Sequence, residues 1–151
     1  MFFGNWLQAL CLDNVFAIEH VYGHHKQVGL KEDGATARRN EGIFYFMFRS
    51  TFNEYKNAFL IEKNRLNRKN KSFFCIHNKF LVGILRSVII SIIIFSIGSV
   101  ISLSCYLISA FISKILLETI NYVEHYGLVR VEGQPVLPRH SWNSNATIFS
   151  E

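Results

Sequence analysis

The longest apolar stretch of the chain runs from Ser87 to Ser113, twenty-seven residues without a charged side chain. With its apolar shoulders it extends over Phe80–Leu117, and as an α-helix these thirty-eight residues would measure about 57 Å at ~1.5 Å per residue. A single crossing of a hydrocarbon core ~30 Å thick does not use that length. The pattern therefore predicts a transmembrane helical hairpin that reverses at Gly98 and Ser99, near its middle.

Two other interpretations of this stretch stay open, namely one long tilted helix or the core helix of a large soluble protein. In the hairpin, Arg86 and Lys114 would lie near the two outer ends. We expect their long side chains to reach the lipid headgroups from there.

The charge distribution also indicates a membrane. Twelve of the sixteen Lys and Arg residues lie between Lys26 and Lys79, in front of the apolar stretch, and such a basic flank is expected in the cytoplasm. The net charge of +5 would suit nucleic acid too, but no nucleic-acid-binding motif is present, so we expect membrane lipid as the partner and no nucleic acid. Three widely separated cysteines predict neither a disulfide framework nor a thiolate metal site.

Half of the six histidines fall within EHVYGHHKQ, residues 19–27. On an α-helix, His20 and His24 share one face, whereas His25 lies about 140° round from His20. This spacing favours two metal ions over one, although imidazole binds Fe, Zn, Cu and Ni alike. The isolated His77 is expected to be exposed or hydrogen-bonded.

A second polar group follows the apolar stretch, in LLETINYVEHYGLVR. Glu118, Asn121 and His125 form one stripe on a helix, and two membrane crossings would return His125 to the side of the first histidines. We therefore predict His125 as a further ligand, with Glu118 or Asn121 orienting a ligand histidine. Tyr122 and Tyr126 are expected to be interfacial aromatics.

These motifs carry a resemblance to a known family. EHVYGHH, VGLKEDGATARRNEGIFYFMFRS, NYVEHYGL and the late HSWNSN occur in this order, and together they resemble the integral-membrane alkane 1-monooxygenases of the fatty-acid-desaturase-like superfamily. The match runs over roughly residues 16–145, and NYVEHYGL with HSWNSN favours the alkane and xylene hydroxylase branch.

The resemblance implies an all-α, integral-membrane helix bundle with a non-haem di-iron centre held by histidines on the cytoplasmic side of the bacterial inner membrane. It implies that O2 is activated there, that electrons come from rubredoxin and its reductase, and that a terminal alkane carbon is hydroxylated. Four residues correspond to family ligand histidines: His20, His24, His25 and His125. His140 matches a recurrent family histidine and is a possible outer-sphere residue, while no further catalytic residue is assigned.

We interpret the chain as one partial domain over residues 1–151. It would comprise a cytoplasmic histidine segment (16–79), the hairpin (80–117) and a cytoplasmic tail (118–151), so the bundle is incomplete. Two family histidine boxes, one upstream of EHVYGHH and one after HSWNSN, are missing. Two alternatives therefore remain: an inactive truncated membrane remnant, and an acyl-lipid desaturase or hydroxylase. The basic segment Lys63–Lys71 would contact either rubredoxin or anionic lipid.

Overall fold

The computed structural model describes residues 2–142, and this part of the chain is helical and contains no β-strand. The all-α prediction is thereby confirmed. The α-helices are α1 (Phe2–Leu10), α2 (Phe16–Glu19), α3 (His25–Gln27), α4 (Ile43–Asn67) and α5 (Lys79–His125). A π-helical turn, His20–His24, joins α2 to α3, and a short 3-10 helix, Pro138–His140, follows α5.

Helix α5 consists of two helical arms that lie side by side. The backbone leaves helical geometry at Gly98 (φ −134°, ψ 19°) and Ser99 (φ 63°, ψ −158°). The hydroxyls of Ser87 and Tyr106 both donate to the carbonyl oxygen of Ala9, at 3.0 and 3.4 Å. In a straight helix these two residues would be about 28 Å apart at ~1.5 Å per residue, so the chain must fold back between them. The predicted reversal at Gly98 and Ser99 is confirmed.

Glycine is required at the reversal for a steric reason. A Cβ atom at Gly98 would lie 1.7 Å from the Oγ of Ser102, which is far inside van der Waals contact. The next residue, Ser99, has a positive φ that non-glycine residues rarely adopt. The turn between the arms is therefore specified by two adjacent small residues.

Within residues 2–142, α5 is the one helix that is long and apolar enough to cross a membrane. Only 11% of its most apolar window is buried inside the protein. A core helix of a soluble protein would bury most of that window. The isoleucine-rich surface of α5 thus faces outward, as a lipid-facing helix does.

Helix α4 carries both acidic and apolar side chains on its buried face. The buried positions recur every four residues and are Phe46, Ser50, Glu54, Ala58, Glu62 and Leu66. At the same spacing on the outside lie Phe44, Phe48 and Phe52, which are 77%, 81% and 71% exposed. The first half of α4 thus has an apolar outer surface, whereas the second half exposes Lys56, Lys63 and Asn64.

A buried ion cluster around Lys114 joins the elements. The ammonium nitrogen lies 3.2 Å from Oδ2 of Asp13 and 2.9 Å from Oε1 of Glu118, and it also pairs with Glu54. These carboxylates belong to the segment between α1 and α2, to the second arm of α5 and to α4, respectively. The prediction that Lys114 reaches the lipid headgroups is wrong, because the three carboxylates hold its side chain inside, where it is 18% exposed.

The cluster carries more acid than base, and protonation reduces the imbalance. Burial, together with the nearby charge of Asp13, raises the pKa of Glu54 to about 8. The raised pKa favours the protonated form of Glu54, which reduces the negative charge of the cluster. The other cation near the apolar stretch, Arg86, lies over the indole ring of Trp6 at 5.6 Å.

A second junction connects the end of α4 to the start of α5. Oδ1 of Asn78 caps α5 by accepting from the backbone N–H groups of Phe80 and Leu81, at 3.0 and 3.1 Å. The buried carboxylate of Glu62 accepts from the guanidinium of Arg65 and from the backbone N–H of Lys79. Both ends of the hairpin are thus tied to α4, one through Lys114 and the other through Glu62.

We expect the substitution Lys114→Ala to destabilise the fold by about 3 kcal/mol, because it removes the partner of buried carboxylates. Thermal unfolding in detergent, followed by circular dichroism, measures the loss. The matched control is Lys56→Ala on the exposed side of α4. Equal unfolding temperatures for the two variants would contradict the role given to Lys114.

Candidate functional site

Four imidazole rings meet at one end of the bundle. The ring centroid of His20 lies 5.1 Å from that of His24 and 4.5 Å from that of His25. The ring centroids of His24 and His25 are 5.9 Å apart. The ring of His125, from the end of α5, lies 4.8 Å from that of His24. The structure therefore brings together all four histidines that the sequence predicts as ligands.

A π-helical turn determines how the first three histidines are arranged. The backbone N–H of His25 donates to the carbonyl oxygen of His20, five residues earlier, so the turn holds one residue more than an α-helical turn. His25 consequently comes round to the side of His20. The expectation from α-helical geometry that His25 points away from His20 is wrong, and π-turns of this kind are frequent at functional sites.

The carboxylate of Asp33 fixes the ring of His24. Nδ1 of His24 lies 2.9 and 3.1 Å from the two carboxylate oxygens, and both residues are buried. The hydroxyl of Thr36 and the backbone N–H of Ala35 donate to the same carboxylate, at 2.6 and 3.1 Å. Burial lowers the pKa of His24, but the hydrogen bond and charge of Asp33 outweigh burial and leave that pKa raised. Conversely, these hydrogen bonds lower the pKa of Asp33 despite its burial.

Two arginines hold the loop that carries Asp33, between α3 and α4. The guanidinium of Arg49 donates to the carbonyl oxygens of Gly34 and Thr36, at 3.3 and 3.1 Å, and pairs with Glu41 at 2.6 Å. Beyond α5, Arg130 donates to the carbonyl oxygens of Val28, Lys26 and Gln134. Three of these bonds, to the carbonyl oxygens of Val28, Gly34 and Thr36, fix a loop that has no regular secondary structure.

The ring of His125 is oriented by the segment that follows α5. Its Nδ1 donates to the backbone carbonyl oxygen of His140 at 3.1 Å. The ring of His140 points elsewhere, since its Nδ1 accepts from the backbone N–H of Leu137 at 2.9 Å. His140 therefore contacts a candidate ligand as the sequence predicts, but through its backbone. Of the HSWNSN motif, Asn143–Asn145 lie outside the described residues.

Glu118 and Asn121 lie beside His20, and their role in orienting a ligand histidine stays a prediction. Both are buried, and both line a narrow cavity together with His20, Glu19 and Glu54. One carboxylate oxygen of Glu19 and one of Glu118 are buried without a hydrogen-bond partner. Unpaired buried acceptors of this kind favour a bound water or another polar group in the cavity.

The protonation state of His20 suits metal binding. Burial, followed by the charges of the neighbouring imidazoles, lowers the pKa of His20 to about 4. The ring is therefore neutral at pH 7 and keeps a free lone pair. Because metal ions bind neutral imidazole, no proton has to leave this ring before ligation at that pH.

The four rings are in contact but are not yet in ligand geometry. Among the described residues, no three His, Cys, Asp or Glu side chains converge as the ligands of one metal ion would. His20 and His24 instead stack face to face, with an interplanar angle of 25°. Ligation would require the rings to move apart, and Nε2 of His125, which lies 3.9 Å from Oε2 of Glu124, would have to turn to the metal.

Several residues of this site are not predicted from the sequence. The most important are Asp33, Arg49, Arg130 and Glu19. The only local signal for Asp33 is the turn-forming Asp-Gly pair next to a threonine, and that signal does not indicate which histidine it contacts. The interfacial position expected for the two tyrosines stays a prediction, and their hydroxyls make hydrogen bonds: Tyr122 donates to the carbonyl oxygen of Glu41, and Tyr126 accepts from the N–H of Asn40.

Comparisons with known proteins identify related chains. The sequence matches the model of the fatty acid desaturase family over residues 1–150. It is 39% identical to an alkane 1-monooxygenase of Acinetobacter baylyi over 137 residues, which cover 87% of this chain and 34% of that relative. It is 33% identical to alkane 1-monooxygenase 2 of Alcanivorax borkumensis over 150 residues, covering 93% of this chain and 39% of the relative.

A third relative is the hydroxylase component of the xylene/toluene monooxygenase of Pseudomonas putida. The identity is 32% over 131 residues, which cover 87% of this chain and 36% of the relative. The chain thus spans between 34% and 39% of the length of these three relatives.

We expect Gly23→Ala to destabilise the π-turn, because the new Cβ would lie 2.7 Å from the buried Oε1 of Glu19 and 3.5 Å from Ile61. Overpacking of this kind costs about 1–3 kcal/mol. Thermal unfolding in detergent measures it against Gly4→Ala, where nothing lies within 4 Å of the new Cβ. A Gly23→Ala variant as stable as Gly4→Ala would show that close packing at the turn does not require glycine.

Proposed function

The chain belongs to the fatty acid desaturase family, and from this premise we propose that it forms part of the iron centre of a membrane monooxygenase that hydroxylates the terminal carbon of alkanes. The observation that carries the proposal is that the rings of His20, His24 and His25 pack together and that His24 contacts the ring of His125, about a hundred residues later in the chain. The names of the relatives, which are alkane 1-monooxygenases and a xylene/toluene hydroxylase component, support this substrate class.

The donor set fits non-haem iron. Imidazole nitrogen is a suitable ligand for iron, and the Nδ1 atoms of His24 and His125 are both engaged by oxygen acceptors. Their Nε2 atoms therefore remain for the metal, and the oxygen partners set the tautomer and the ring orientation. We propose His20, His24, His25 and His125 as ligands, with Asp33, Glu118, Asn121 and the carbonyl of His140 supporting them.

Four imidazoles cannot fill two iron coordination spheres. We therefore propose that further ligands join them from another segment or another chain, to give a di-iron centre. When bound, the iron would supply the activation of O2 for insertion of one oxygen atom into a C–H bond. The residues of this chain hold the ligand rings, keep the His24 proton on Nδ1, where it is donated to the carboxylate of Asp33, and surround the centre with buried side chains.

Membrane association follows from the family and from α5, and it suits a substrate that dissolves in lipid. We further propose that the histidine end faces the cytoplasm of a bacterial inner membrane, because the basic residues precede α5. Electrons would then come from rubredoxin and its reductase. The terminal alkane carbon would have to approach the histidines from the lipid-facing side of the bundle.

Acyl-lipid desaturation or hydroxylation is the second candidate, because the matched family is described as that of fatty acid desaturases. Product analysis distinguishes the two reactions. A terminal alcohol from an alkane supports the main proposal, whereas an unsaturated or hydroxylated acyl chain supports the alternative. An inactive membrane remnant would form neither product and would bind no iron.

We expect the double substitution His24→Ala with His25→Ala to abolish stoichiometric iron binding by the detergent-purified chain, because it removes two proposed ligands. Metal analysis gives the stoichiometry, and Mössbauer spectra detect coupled iron pairs. The matched control is His77→Ala, which removes an exposed imidazole that is not a proposed ligand. Iron content that is unchanged in the double variant would reject the ligand assignment.

We expect Asp33→Asn to weaken iron binding by about 10–100-fold, since an amide no longer fixes the tautomer and orientation of His24. A chelator competition measures the affinity without any need for turnover. Glu32→Gln is the control, because it removes the same charge from the adjacent exposed position. If both variants bind iron equally, Asp33 has no supporting role.

A further inference from the structure

A cleft of about 600 Å³ opens between the end of α4 and the start of α5, away from the cavity beside His20. Three separate parts of the chain contribute cations to its walls. The cationic side chains are Lys26, Arg65, Arg68, Lys69 and Lys79. Nothing in the proposed oxygenation chemistry uses this cleft.

The charge in the cleft is largely uncompensated. Among the described residues that line it, Glu62 is the one acid, and its carboxylate already accepts from Arg65 and from the backbone N–H of Lys79. Five cations and one carboxylate leave a formal charge of +4. Lys26 and Lys79 lie over the same ring, that of Tyr22, at 5.8 and 5.9 Å, so two ammonium groups converge on one small region.

Like charges held together in a concave surface repel one another and attract an anion. The chemistry of the side chains favours a phosphate group. A guanidinium can donate two parallel hydrogen bonds to phosphate oxygens, and ammonium groups complement them as point charges. Arg68 and Lys69 are exposed and can reach into the cleft from one side, opposite Lys26 and Lys79.

The position of the cleft indicates which phosphate-bearing molecule would bind there. Its walls include the apolar side chains of Ile18 and Ile61, and it lies where the apolar helix α5 begins, at Lys79. Just before α5, Phe74 and Ile76 are 86% and 87% exposed, as side chains that enter a bilayer would be. A cationic cleft with apolar walls at this level matches the headgroup region of a membrane.

We propose that this cleft binds an anionic phospholipid, with the cations on the headgroup phosphate and the isoleucines against the glycerol and the first acyl carbons. The bound lipid contacts Tyr22, which belongs to the π-turn between His20 and His24. The membrane thereby contacts the segment that carries three of the candidate ligands. This inference does not depend on iron or on the oxygenation reaction.

The test uses the full chain purified in a non-ionic detergent and titrated with three probes. These are dihexanoyl phosphatidylglycerol, dihexanoyl phosphatidylcholine and inorganic phosphate, with binding followed by 31P NMR line broadening. We expect saturable binding of phosphatidylglycerol and at least roughly tenfold weaker binding of the other two probes. The double variant Arg68→Ala with Lys69→Ala should lose at least roughly tenfold in affinity for phosphatidylglycerol.

The control is Lys31→Ala with Arg38→Ala, which removes the same charge from exposed positions outside the cleft. Circular dichroism checks that both double variants fold, and unchanged lipid affinity in the control variant supports the cleft. An equal loss in both variants would overturn the proposal by showing only general charge attraction. Equal affinity for inorganic phosphate would assign the cleft to free phosphate and overturn the lipid assignment.

Absence of phosphatidylglycerol binding would also overturn the proposal. In that case a titration with a small acidic redox protein of the rubredoxin type would test the same cations. Binding that is lost with Arg68→Ala and Lys69→Ala would then assign the cleft to protein docking. Iron content, measured separately, shows whether the proposed function fails independently of the lipid site.

Discussion

A single buried ammonium group, that of Lys114, fixes the relative positions of the main elements. It meets Asp13, Glu54 and Glu118, so one charge lies at the crossing of α4, the second arm of α5 and the segment before α2. Buried charges are tolerated only when they are paired, and the hairpin therefore cannot slide along α4 without breaking these contacts. The same contact sets the position of His125, about three turns further along α5, relative to the histidines after α2.

The features that depend on local spacing could be predicted from the sequence. The apolar length gives the hairpin, Gly98 and Ser99 give its reversal, and the interval from Glu118 to His125 gives a buried stripe. These follow because each depends on residues within one helix. His125 then comes close to the first three histidines if the second arm of α5 returns to the side of the membrane on which the first arm begins.

The features that depend on long-range contacts could not be predicted in this way. The inward position of Lys114 depends on carboxylates 60 and 101 positions away, whereas within its own helix it pairs with Glu118. The support of the loop between α3 and α4 comes partly from Arg130, more than a hundred positions from the carbonyl groups it contacts. The predicted direction of the His25 side chain is wrong for a different reason. It rests on α-helical angles, whereas the backbone forms a π-turn at this point.

Because of the π-turn, the number of residues between the histidines determines how their rings are arranged. His20 and His25 come together because the turn between them holds one residue more than an α-helical turn. A deletion of one residue within Val21–Gly23 would remove this surplus and rotate every later ring, even though each imidazole was retained. The motif is thus encoded by length as well as by composition, and evolution of this segment is expected to accept substitutions at Val21 more readily than insertions or deletions.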